Sequence, residues 1–196
     1  IQQERRYVRE AGIEFVTRRG AEITAADWDF FYRCYERTYL EHGNAPYLSR
    51  DFFDRIARQL PEHWLLFIAE RGGQSIASSL IGLGQTSALN ERVAYGRYWG
   101  ALERVDCLHF EVCYFAPIAW AIERGIRHFD PGAGGSHKRR RGFVAQARVS
   151  LHRWSDPRFA GILRGWLPGA NAEMAELMAA MNAELPFTAA YDPPHA

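Results

Sequence analysis

Apolar and polar positions follow a helical period in the first third of this chain. Aromatic residues recur at helical spacing through Ala25–His42, and Thr24 is a candidate N-cap for this helix. A second helix is predicted over Phe52–Leu60, opened by Ser49 or Asp51. Residues 24–60 are therefore expected to form a helical pair. The charged segment before it, residues 1–23, is predicted to be an N-terminal arm.

The pattern then changes to compact apolar runs that are typical of strands. Trp64–Glu70 and Ser75–Leu83 flank Gly72-Gly73, and a Gly-Gly turn between two such runs favours a β-hairpin. Arg92–Trp99 predicts a third strand. Residues 61–154 are expected to hold the sheet core together with a central helix.

That central helix is predicted over Cys107–Gly125, with Asp106 as its cap and a kink or split at Pro117. The remaining elements are predicted to be strands at Ile126–Asp130 and Phe143–Trp154 and, within residues 155–196, helices near Pro157–Trp166 and Ala170–Leu185. The order α-α-β-β-β-α-β-β-α indicates one α/β (α+β) domain, a mixed and mostly antiparallel sheet flanked by helices.

Composition narrows the class of protein. The chain has 196 residues, 47% of them hydrophobic, which suits one globular domain and excludes collagen, coiled coil and disorder. Cys34, Cys107 and Cys113 form an odd set without CxxC spacing, so a reducing, cytoplasmic location is expected. No apolar run approaches the ~20 residues that cross a bilayer. The chain starts without Met, so we expect a piece of a longer protein.

The net charge of +1 conceals a basic stretch. Between Pro131 and Ser155 there are six basic residues and no acidic one, and Lys138 is the single lysine beside 23 arginines. The Gly-rich segment at its start fails the Walker A and dinucleotide patterns, because His137 stands where each needs a glycine. Gly132 and Gly134 would give a ligand access to the backbone, and Lys138 and Arg141 would pair with phosphate or carboxylate. A solvated basic turn remains the alternative.

His109 and Glu111 are the candidate acid/base residues. They match the start of a zinc deaminase signature, but no Pro-Cys-x-x-Cys follows, so no metal is expected. Two positions apart on a helix, they point about 200° away from each other, so at most one is expected to be catalytic. A buried, hydrogen-bonded structural role for either residue is the alternative.

The strand YGRYWG carries further polar aromatics. Strict alternation would place Tyr95, Arg97 and Trp99 on one face of the sheet and Tyr98 on the other. Gly96 and Gly100 indicate a bulge or a close approach of another backbone.

Taken together, YGRYWG, LHFEVCYF, AIERGIRHFDPGAGGSHKRRRGF and QARVSLHRW resemble the FemAB-like N-acyltransferases of the GNAT superfamily, over nearly all of the chain. The family's loop is closer to PGAQGEHK followed by RGF, so Gly134-Gly135-Ser136 and the extra Arg139-Arg140 are departures. The resemblance implies a GNAT-like fold, and this sequence looks like the C-terminal member of two tandem domains, with an N-terminal GNAT-like domain in the same protein.

The resemblance implies transfer of an acyl or aminoacyl group to an amine, with a small molecule or a peptidoglycan precursor as acceptor. The donor would be aminoacyl-tRNA or acyl-CoA, although Tyr98–Cys107 lacks the Q/R-x-x-G-x-G/A loop that binds CoA pyrophosphate in other GNAT proteins. His109 or Glu111 would accept the proton, and Tyr95 and Tyr98 would orient the acceptor. The anion-binding set would be Gly132, Gly134, His137, Lys138 and Arg141. A non-catalytic binding module and an RNA-binding domain are the alternatives.

Overall fold

Five strands form one sheet in the order β1-β2-β3-β4-β5 in the computed structural model, which describes residues 1–85, 91–184 and 186. The first three pairings are antiparallel, and only β4 and β5 run parallel. This confirms the mixed, mostly antiparallel sheet flanked by helices. The strands are β1 (Ile13–Arg19), β2 (Trp64–Arg71), β3 (Gln74–Gln85), β4 (Arg92–Ala101) and β5 (His128–Asp130).

The helices flank these strands in a first unit, Ile1–Gly132, and continue in a second, Ala133–Ala196. The first unit contains α1 (Gln2–Glu10), α2 (Ala25–Glu41), α3 (Arg50–Gln59), α4 (Leu108–Phe110), a π-helical segment (Glu111–Phe115) and α5 (Ala116–Glu123). The second contains α6 (Ser136–Arg139) and α7 (Pro157–Ala183).

Local sequence signals placed several of these elements correctly. Thr24 caps α2 by accepting a hydrogen bond from the Asp27 backbone, and Ser49 caps α3. The β2–β3 hairpin turns at Gly72 and Gly73, both at positive φ, where a residue without a Cβ is favoured.

Apolar side chains cover both faces of the sheet. On one face, Phe31 of α2 and Phe53 of α3 pack with Leu80 of β3. On the other, Val112 of the π-helical segment packs with Ile81. Each fully buried residue of this size contributes about 1.5–3 kcal/mol, so the helices are held to the sheet by many such contacts.

The N-terminal segment differs from the arm expected for residues 1–23. It forms α1 and then β1, which pairs with β2 along its full length. Val8 of α1 is buried with Ile13 of β1 in a third apolar cluster. Burial of these two residues makes the segment part of the core.

The helix predicted over Cys107–Gly125 is divided into α4, the π-helical segment and α5. Pro117, in the first turn of α5, has no backbone N–H, and the Ala116 N–H bonds to the Glu111 carbonyl. The Val112 carbonyl therefore has no helical donor, and Ser79 donates to it across 2.6 Å. Cys107, not Asp106, is the N-cap residue.

The second unit departs from two predictions. Residues 143–154 have the alternation of a strand, but no strand is formed there, and Val149 and Leu151 are 85% and 94% exposed. Alternation alone is insufficient because a strand also needs a partner for its backbone groups. The two helices predicted after residue 155 form one helix, α7, with Pro168 inside it.

Candidate functional site

The segment that joins β4 to the central helix has an unusual backbone. Cys107 is the only described non-glycine residue at positive φ (64°), and the π-helical segment begins four residues later, at Glu111. Strained φ values and π-helical turns are both concentrated at functional sites in proteins. His109 and Glu111 lie within this irregular segment.

Glu111 is buried and paired with an arginine from the other end of the first unit. Both of its carboxylate oxygens accept hydrogen bonds from Arg5 Nε, at 3.2 and 3.1 Å, and Arg5 Nη2 lies 3.1 Å from Oε1. The Glu111 side chain is 7% exposed and the Arg5 side chain 42%. The guanidinium also lies over the Phe115 ring. Arg5 thus fixes the position of the carboxylate.

His109 lies among aromatic rings. Its imidazole centroid is 4.6 Å from the Trp99 ring of β4 and 5.5 Å from the Tyr114 ring. His109 and Glu111 therefore contact different elements, β4 and α1.

The two tyrosines of β4 lie on the opposite face of the sheet from His109. β3 pairs Leu80 with Tyr98 and Ile81 with Gly96, so Arg97 is the extra residue of a β-bulge. Tyr98 consequently packs in the cluster of α2 and α3, and Trp99 in the cluster of the π-helical segment. The predicted grouping of Tyr95 and Arg97 with Trp99 was wrong, because strict alternation fails across a bulge.

The position where GNAT proteins bind CoA pyrophosphate is built differently here. The Leu108 N–H bonds to the Val105 carbonyl, and the N–H groups of Phe110 and Glu111 both bond to the Cys107 carbonyl. The loop before the helix carries Glu103, which forms an ion pair with Arg71. Backbone donors that are already used do not fit a diphosphate at this helix start.

Gly132 follows the point where β4 and β5 separate. The parallel pairing ends at Tyr95 and Asp130, and the Gly132 N–H donates to the Asp130 carboxylate across 2.8 Å. Gly132 has φ +81°, and a Cβ there would lie 3.6 Å from the Gly96 carbonyl oxygen. Two glycines therefore approach each other at the fork between the strands.

In the second unit, the predicted anion-binding side chains bond to carbonyls of their own loop. Lys138 Nζ donates to the Ala133 carbonyl, and Arg141 donates to the His137 carbonyl. Burial lowers the pKa of His137, and the charges of Lys138 and Arg141 lower it further. The loop therefore holds its basic groups in place and favours a neutral His137.

Glycines shape this loop. Gly134 has φ +71°, and nothing lies within 4 Å of the position of a Cβ there. Gly135 has φ +90°, and a Cβ there would lie 2.5 Å from the His137 ring. Further along, Arg139 lies 3.7 Å from Glu184 at the end of α7, so an acidic residue outside the basic stretch reaches it.

Two arginines of the site were missed by sequence reasoning. Arg5 is 106 positions from Glu111, and no local pattern connects the two. Arg97 was noted only for its strand face, although Gly96 beside it indicated the bulge. Within residues 1–85, 91–184 and 186, no group of three or more His, Cys, Asp or Glu side chains is placed to hold a metal ion.

No helix within residues 1–85, 91–184 and 186 combines the length and apolarity that crossing a bilayer requires.

The sheet and its helices define the class of protein, an acetyltransferase-like GNAT fold. A predicted acetyltransferase from Clostridium acetobutylicum with acetyl-CoA superposes with a TM-score of 0.53 at 15% identity, covering 71% of this chain and 96% of that one. An aminoglycoside acetyltransferase from an uncultured soil metagenomic sample, in complex with sisomicin, superposes with a TM-score of 0.52 at 11% identity, covering 75% of this chain and 98% of that one. An aminoglycoside N-acetyltransferase in complex with CoA superposes with a TM-score of 0.51 at 15% identity, covering 74% of this chain and 95% of that one.

Residues 1–189 match the model of the FemAB-like family, described as peptidoglycan biosynthesis/recognition, and the chain belongs to that family. No curated protein matches the sequence. The resemblance seen in the sequence is therefore confirmed for both family and fold.

Proposed function

We propose that this protein is an N-acyltransferase that moves an acyl or aminoacyl group onto the amine of a peptidoglycan-related acceptor. The observation that carries this proposal is the family match over residues 1–189 on a GNAT fold. The N-terminal GNAT-like domain inferred from the resemblance remains a prediction.

The chemistry requires a proton acceptor for the attacking amine and a fixed geometry for the acyl carbonyl. Of the two candidate residues, we assign the role of proton acceptor to His109. Both oxygens of Glu111 already accept hydrogen bonds from Arg5, which would have to release the carboxylate first. Glu111 then holds the start of the irregular helix in place, and it is the second candidate for the proton acceptor.

The loop of the second unit would bind the anionic end of the donor or of the acceptor. Lys138 and Arg141 supply the charge there, His137 adds a donor and Gly134 leaves the backbone accessible. Gly132, the last residue of the first unit, stays a predicted member of the anion-binding set. Tyr95 and Tyr98 would orient the acceptor from their face of β4.

The donor is proposed to be aminoacyl-tRNA or an acyl-CoA. The helix after β4 does not offer the free amides that a CoA diphosphate would use, so an acyl-CoA would need another site. A tRNA donor predicts that affinity falls steeply with salt, with a log–log slope of about −0.7 to −0.9 per phosphate contact. A flat salt response would eliminate it.

The decisive assay measures transfer by the intact protein from each donor to lipid-linked and soluble peptidoglycan precursors. His109→Gln is expected to lower kcat by about 10²–10⁴-fold, the usual contribution of a general base. Glu111→Gln is expected to act mainly on stability. Unchanged turnover in both His109→Ala and Glu111→Ala would remove the acid/base proposal.

A non-catalytic binding module is the second candidate function. It is favoured by the same helix start, where the diphosphate-binding amides are already bonded. This alternative predicts precursor binding that disappears in Lys138→Ala/Arg141→Ala and no transfer from any donor. Detectable transfer to a precursor amine would exclude it.

A further inference from the structure

The β4 bulge places Arg97 on the same face of the sheet as Tyr95 and Tyr98. Because Arg97 is the extra residue, it lies on the same face as Tyr98 instead of alternating with it. A Cβ on Gly82 would lie 3.7 Å from Arg97 Cγ and 3.8 Å from Tyr95 Cβ. All three side chains thus stand on the face that carries α2 and α3.

Arg97 is exposed, and no acidic side chain in the described parts of the chain forms an ion pair with it. Its guanidinium lies 5.4 Å from the Tyr98 ring centroid, and Nη2 lies 3.5 Å from the Tyr98 hydroxyl. Since a guanidinium has five N–H donors, this single contact leaves most of them available.

Aromatic packing restricts the Tyr98 ring and so defines the position of its hydroxyl. Its ring makes edge contacts with Tyr35 and Phe53, at centroid distances of 5.2 and 6.0 Å. The Tyr98 O–H and the Arg97 fork are two adjacent donors that can converge on one oxyanion. One guanidinium matches the charge of a carboxylate, whereas a phosphate dianion would need a second cation.

We propose that Arg97 and Tyr98 bind a carboxylate of the amine acceptor, with Tyr95 beside them. This inference rests on the proposed function only in naming the bound molecule as the acceptor. It assigns the acceptor to a chemical class, an amine that also carries a free carboxylate, as amino acids and peptides do.

The test is a binding titration of the 196-residue chain, in which NMR monitors the arginine Nε–H and backbone amide signals. N-acetylglycine is the carboxylate probe, N-acetylglycinamide its neutral match and inorganic phosphate the second anion. We expect N-acetylglycine to shift the Arg97 and Tyr98 signals, the amide to leave them unchanged, and phosphate to act more weakly. Equal shifts from the amide, or stronger ones from phosphate, would overturn the proposal.

Substitutions distinguish N-acetylglycine binding at this site from binding elsewhere on the surface. Arg97→Gln is expected to weaken N-acetylglycine binding at least about tenfold and Tyr98→Phe by about threefold, as losses of charge-assisted donors. Arg55→Gln, on the exposed face of α3, is the control and should bind normally. Normal binding by Arg97→Gln would refute the assignment. Because no transfer is measured, failure of the proposed acyltransferase activity would leave these outcomes unaffected.

Discussion

Replacing Arg5 by Met tests how the N-terminal helix holds the irregular segment. The substitution keeps the apolar stem and removes the guanidinium, so the Glu111 carboxylate loses its described partner in a site where it is 7% exposed. An unpaired buried charge costs far more than a lost surface contact.

The expected cost is about 2–3 kcal/mol, less than the ~3–5 kcal/mol of a fully buried pair because 42% of the Arg5 side chain is exposed. Glu111→Gln should cost only about 1 kcal/mol, since the amide still accepts a hydrogen bond and Arg5 turns toward water. The double variant Arg5→Met/Glu111→Gln should be more stable than Arg5→Met alone, because no charge is left buried.

Hydrogen exchange of the β2 and β3 backbone amides is the suitable assay, because it reports on the first unit by itself. Arg6→Met on the same helix is the matched control, since Arg6 pairs with Glu10 on the surface. That control should change stability by at most about 0.5 kcal/mol. The reasoning is refuted if Arg5→Met and Arg6→Met have equal effects on stability. It is also refuted if Arg5→Met/Glu111→Gln is less stable than Arg5→Met alone.

Three further perturbations follow from buried contacts and charge. Gly100→Ala would place a Cβ 1.8 Å from the Cys34 carbonyl oxygen and should destabilise the fold by about 3 kcal/mol in urea unfolding, whereas Gly82→Ala, with contacts of 3.6 Å and longer, should be tolerated. Ser79→Ala leaves a buried carbonyl of the π-helical segment without its donor and should cost about 1–3 kcal/mol by the same measurement; a neutral result contradicts that role. The His137 ring should titrate by NMR below its usual 6.5, since burial and then two neighbouring cations lower its pKa. The contribution of His137 to folding stability is therefore complete above pH 6.5 and is lost as pH falls through the lowered pKa. A titration midpoint at the usual value contradicts this prediction. Phosphate should raise the titration midpoint of His137 if the loop binds anions.

Elements that depend on nearby residues were predictable from the sequence. The Gly72-Gly73 hairpin needed only the turn and its two flanking apolar runs, and the caps of α2 and α3 needed one side chain each. β1 was missed because its partner β2 lies about fifty positions away and the charged sequence around Ile13–Arg19 hides its short alternation. Residues 143–154 show the reverse error, a clear alternation without a strand partner.

The site was harder to predict because it depends on departures from regular geometry. Pro117 correctly indicated a break in the helix, but the resulting bond from Ser79 to the Val112 carbonyl requires knowing which strand lies beneath. The bulge at Arg97 moved one tyrosine to the other face, and only Gly96 indicated it in the sequence. Neither feature follows from the period of the hydrophobic pattern.

The bulge also determines how one substrate could contact residues on both faces of the sheet. Arg97 and Tyr98 lie on the α2 face and His109 on the other, so no molecule bound to a single face meets all three. The strands separate just after Tyr95, and glycines line the fork where they part. Beyond Tyr95, β4 has no strand partner on this side within the described residues, so an acceptor that lies across this edge can place its carboxylate on one face and its amine on the other. The proposed acceptor site and the proposed proton acceptor are therefore compatible only if one acceptor crosses this edge. His109→Gln should then lower transfer while N-acetylglycine still binds, and loss of that binding in His109→Gln would contradict the separation of the two sites.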